Sequence, residues 1–171
     1  MTSNQRATLV TLGLMAVAVL LNSTVMRFVA IRDTTPDTVL ILLLFLAVRR
    51  GAMPGQVTGF AVGVAEDLAS VAPLGFHALL RTIVGFGAGL LHGYLFLDPL
   101  LMPFLLVTGV AILKGLMASL VATVFGVPID VGILDAGFWI EVAYTGVLAP
   151  PLFYLLAKIK ALRPSKRERA R

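Results

Sequence analysis

The chain has 171 residues, 58% of them hydrophobic and only 13% charged, too little polar surface to coat a water-soluble globule. Its mean hydropathy of +0.96 makes lipid the solvent for much of its exterior. The absence of cysteine excludes disulfides and thiolate metal sites, and the two histidines, His77 and His92, are too few for a histidine-rich one.

The apolar runs predict six helical spans and a single transmembrane domain over 1–171. About 20 mostly apolar residues cross about 30 Å of hydrocarbon. The first span, about 7–30, is longer than a signal-peptide core, and Asn22-Ser23-Thr24 is no cleavage site. The second, about 36–50, is short. It reaches useful length only by starting near Pro36, a residue suited to the first helical position, and this brings Asp37 inside the bundle. The third covers about 54–71, with a turn at Pro73-Leu74-Gly75. The fourth covers about 76–97 and stops at Asp98-Pro99. The fifth covers about 99–125 and the sixth about 138–159. Pro150 clashes with the carbonyl of Gly146, four residues back, so a kink is expected in the sixth span.

Charge placement predicts the orientation. Seven of the fourteen Lys and Arg residues fall between Lys158 and Arg171, so 160–171 reads as a basic cytoplasmic tail. Arg6, Arg49 and Arg50 lie on the same side after six crossings, and short cytoplasmic segments carry such an excess. Both termini are therefore expected in the cytoplasm. No aromatics interleave with the tail cations, which argues against a nucleic-acid partner.

Two glycine rows carry the most local information. Gly51, Gly55, Gly59, Gly63 and Asp67 recur every four residues in the third span. His77, Arg81, Gly85, Gly89 and Gly93 do so in the fourth. Small residues at this spacing let helices approach closely in lipid, and four-residue rows form the ridges that mesh between helices. An antiparallel fold about Leu74 sets Gly63 against Gly85, Gly59 against Gly89, Gly55 against Gly93 and Asp67 against Arg81. This predicts a buried Asp67–Arg81 ion pair, with Glu66 the next partner for Arg81. Glu66 itself points about 100° away from Asp67, and Lys114 in the fifth span is its expected partner.

Ionisable groups inside a membrane are costly and count as functional candidates. Here Asp37, Glu66, Asp67, Arg81 and Lys114 also read as structural pairs that fix helix packing, and Glu141 lies one turn inside the sixth span. His77 reads as an interface-facing side chain. No nucleophile–base arrangement, HExxH or phosphate-cradling loop is present, so neither enzyme activity nor a cofactor is expected.

The run Pro36-Asp37, Arg49-Arg50-Gly51, Pro54-Gly55, Gly59-Phe60, Gly63, Glu66-Asp67-Leu68 and Pro73 to Leu79 resembles the rod shape-determining protein MreD family. The resemblance implies a non-enzymatic scaffold of the bacterial cell-elongation machinery (the elongasome) in the inner membrane. Its implied partners are a bitopic MreC-like protein, actin-like MreB and the peptidoglycan synthases. It also implies a fold similar to the substrate-binding subunits of energy-coupling-factor transporters. That similarity supplies a rival, a small-molecule-binding transporter subunit. The scaffold is preferred because Trp139 is the only tryptophan and the loops are short. A proton-coupled transporter ranks last, for want of an inverted repeat.

Overall fold

The computed structural model describes residues 34–70, 72–93, 100–126 and 135–159, together with Gly13 and Met15. The first span otherwise lies outside the described residues, as does the basic tail. Five helices follow: α1 (Thr38–Arg50), α2 (Ala52–Ala69), α3 (Phe76–Leu90), α4 (Leu101–Phe125) and α5 (Ala136–Lys158). They correspond to the second to sixth spans of the sequence reading, and the described part of the chain is all-helical.

Each helix end has a local cause. Asp37 caps α1, its carboxylate accepting the Leu40 N–H at 2.8 Å. Pro36 therefore precedes the cap instead of opening the helix. The far end of α1 stops at Gly51, whose φ of 95° lies in the left-handed region that glycine tolerates. Because Gly51 turns the chain within one residue, α2 begins at Ala52, two residues earlier than expected, and it ends at Ala69. Helix α3 stops at Leu90, well short of Asp98-Pro99. The amides of Leu91 and His92 turn back to Ala88 and Gly89, and Gly93 takes a φ of 89°. A tightened last turn followed by a left-handed glycine is a stop signal that hydropathy alone overlooks. Asp135 caps α5, with Pro150 and Pro151 inside that helix.

Helix α1 occupies the centre. Its residues from Val39 to Val48 are all buried, and a helix apolar on every face belongs inside a bundle. Val62 of α2, Val84 and Ala88 of α3, Val107 and Ala111 of α4, and Val142 and Ala149 of α5, with Met15, complete this core. Phe45 meets Phe153 of α5 edge to face, their centroids 5.3 Å apart. A second cluster, Phe76, Leu80 and Ala118, ties α3 to α4.

The exterior is apolar and bulky. Val57, Phe60, Ile83, Phe86, Leu105, Leu116, Leu120 and Val147 all point outward. Exposed apolar area on this scale suits a membrane. Two described helices, α4 and α5, are long and apolar enough to cross one.

Candidate functional site: a charge cluster above the central helix

The α2–α3 pair positions the site. The two glycine rows do face each other, but two four-residue steps out of the expected register. A Cβ on Gly59 would fall against the carbonyl of Arg81, where Gly89 was expected. One on Gly55 would meet the carbonyl of Gly85, and one on Gly63 would meet Ala78. Gly89 lies against Ala52 instead of Gly59. The backbones touch, so each of these positions excludes even a methyl group.

Asp67 explains the slip. Its Oδ2 accepts from the amides of Gly75 at 2.8 Å and Ala78 at 3.2 Å. Its Oδ1 accepts from the amide of His77 at 2.8 Å and lies 2.9 Å from His77 Nδ1. These are unpaired donors at the start of α3, and a carboxylate there also meets the positive end of the helix dipole. Asp67 is thus a cap delivered from the neighbouring helix, and it draws the first turn of α3 down beside the last turn of α2. Pro73 and Gly75 make the connection, through a Phe76 N–H to Pro73 carbonyl bond and a left-handed Gly75 with φ 99°. The expected Asp67–Arg81 pair does not form, because the backbone donors have taken both carboxylate oxygens.

Arg81 turns instead to Glu66 and Asp37. Its Nε donates to Glu66 Oε2 at 2.6 Å and its Nη2 to Glu66 Oε1 at 2.5 Å, a two-pronged fork. The same Nη2 reaches Asp37 Oδ1 at 3.0 Å and Oδ2 at 3.2 Å. Lys114, expected to pair with Glu66, donates to Asp37 Oδ2 at 2.6 Å and lies 3.5 Å from Glu141 Oε1. Asp37 also donates its own amide to the hydroxyl of Thr145, at 3.0 Å. All five described helices therefore meet at one polar node above the N-terminus of α1. Asp37 sits at its centre, serving at once as helix cap, ion-pair partner and amide donor.

Asp37, Glu66, Arg81 and Lys114 stand out in the sequence, but their partners differ from those expected, and Thr145 does not stand out. A threonine one turn after Glu141 in an otherwise apolar run is the available signal. His92, one of the two histidines, places Nδ1 2.7 Å from the Val48 carbonyl at the opposite end of α1. That end also holds Arg49 over the Phe45 ring at 4.7 Å and Lys158 over the Tyr154 ring at 4.3 Å. Arg81 Nη1 is buried with no hydrogen-bond partner among the described residues. No group of three or more His, Cys, Asp or Glu among them is placed to hold a metal ion.

Chemically, the node is a network of ion pairs, with no nucleophile beside a base. The family model described as rod shape-determining protein MreD matches residues 3–159, nearly the whole chain. The chain belongs to the MreD family. Its role accordingly lies in rod shape determination, and MreD is a bacterial membrane protein of the shape-determining MreBCD system. Nothing among curated proteins or solved structures matches the chain. Within the MreD match fall the glycine rows, the Asp67 cap and every member of the charge cluster.

Proposed function

We propose that the chain is a non-enzymatic scaffold of the cell-elongation machinery in the bacterial cytoplasmic membrane. In this reading it forms one six-span domain over 1–171 with both termini cytoplasmic. It binds an MreC-like bitopic protein and, through that complex, supports actin-like MreB and the peptidoglycan synthases. The family match over residues 3–159 carries the reading.

The geometry supports it in two ways. The ionisable side chains of the candidate site, Asp37, Glu66, Asp67, Arg81 and Lys114, are engaged with one another or with helix amides, as a packing device requires. The cations Arg49, Arg50 and Lys158 gather at the end of the bundle away from Asp37, which suits a cytoplasmic inner face. The transporter-subunit alternative has no observation in its favour.

Depletion in a rod-shaped host tests the function. Cells should round up, and an MreC-like protein should no longer be recovered in a membrane complex. Normal shape with loss of vitamin uptake would instead support the transporter subunit. A cysteine added at the C-terminus, in a chain that has none of its own, should resist membrane-impermeant labelling from the periplasm.

A further inference from the structure

The charge cluster is unequal in two respects. Among the described residues it sets three carboxylates, Asp37, Glu66 and Glu141, against two cations, Arg81 and Lys114. Accessibility also rises across it. The side chains of Asp37 and Arg81 are 5% exposed, Glu66 14%, Lys114 22% and Glu141 37%. The surplus negative charge and the open edge therefore coincide at Glu141.

Glu141 is also the least satisfied member. Lys114 lies 2.6 Å from Asp37 but 3.5 Å from Glu141, so its ammonium is committed chiefly to the buried acid. Glu141 stands six residues, or about 9 Å, along α5 from the Asp135 cap. A carboxylate at that depth is expensive without a partner. The outward face of α2 and α3, by contrast, offers Val57, Phe60, Ile83 and Phe86, which lipid satisfies without selecting any partner.

We propose that Glu141, at the open edge of the cluster, is the docking point for a partner transmembrane helix that carries a lysine or arginine in its outer third. The proposal rests on the scaffold reading and gives its partner a chemistry. A basic group arriving at Glu141 equalises the cluster, three carboxylates then facing three cations. Binding and internal charge balance are thereby linked.

That link makes the test sharp. Glu141→Gln equalises the cluster from within, so the isolated full-length chain in detergent should melt at the same temperature as wild type or higher. The same variant should bind a co-expressed MreC-like protein about tenfold or more weakly, because the partner's cation loses its counter-charge. Glu66→Gln, which breaks the buried fork, should lower the melting temperature of the isolated chain. Glu141→Lys combined with a partner whose outer-third basic residues are changed to Glu should recover binding. Unchanged affinity in Glu141→Gln overturns the proposal. So does a fall in melting temperature as large as that of Glu66→Gln, since Glu141 would then be structural alone. Wild-type binding that ignores Glu141 removes the docking point and leaves the scaffold reading intact. If the wild-type chain binds no MreC-like protein, the scaffold reading fails and the docking point with it.

Discussion

The glycine seam between α2 and α3 and the polar node above α1 both hold helices together where lipid supplies no hydrophobic drive. They do so by opposite means. The seam works through the absence of side chains: Gly55, Gly59, Gly63, Gly85 and Gly89 let backbone meet backbone over the length of two helices. The node works through their presence, with residues of five helices converging on Asp37 and Arg81. A seam of this kind is selective in shape and tolerant of sliding by one four-residue step. A node admits one arrangement, because each charge needs its own partner. The node and the Asp67 cap thus fix the register that the seam leaves open.

The largest expected effect lies at Arg81. Arg81→Gln leaves Glu66 and part of Asp37 buried without a counter-charge, a loss of roughly 3–5 kcal/mol. Chemical unfolding in detergent should show it as the largest destabilisation of the set. Gly59→Ala comes next. Its methyl meets the Arg81 carbonyl, and overpacking of this kind costs about 1–3 kcal/mol. A variant as stable as wild type would mean that the seam is looser than described. Asp67→Asn should cost about 0.5–2 kcal/mol, the range for a lost helix cap. Hydrogen exchange is the sharper readout, since the amides of Gly75, His77 and Ala78 should exchange faster while those of mid-α3 do not. The smallest effect belongs to Gly87→Ala. Gly87 lies in α3 with open space where its Cβ would be, so the change should stabilise by up to about 1 kcal/mol through helix propensity. Gly59 and Gly87 then differ in sign although both are glycines of one hairpin.

Sequence periodicity revealed which faces of α2 and α3 meet, because a four-residue repeat of glycine has few other uses in an apolar helix. It did not reveal their register. Folding the rows about Leu74 treats residues 72–75 as a symmetric turn, whereas the Asp67 carboxylate reaches across and seats three amides of the next helix. A side chain that caps a helix other than its own leaves no periodic trace. The same limit explains the charges. Asp37 was recognisable as a buried acid, since the leucine run after it needed more length. Its partners, Arg81 and Lys114, lie 44 and 77 residues away, and pairing at such separations depends on how all the helices pack. Opposite charge and similar depth narrowed the choice for Arg81 to Asp67 and Glu66, and the geometry took the second.

The shortness of α1 has a consequence for the surrounding bilayer. At 13 residues it is about 20 Å long, while α4 with 25 and α5 with 23 reach about 37 and 35 Å. The enclosed central helix is indifferent to membrane thickness, whereas the outer pair exceeds a hydrocarbon layer of about 30 Å. Hydrophobic mismatch is relieved by tilt or by local thickening of the bilayer, and both fall on the shell. Changes in acyl-chain length should therefore be felt first as a change in the angle between α4–α5 and the rigid centre.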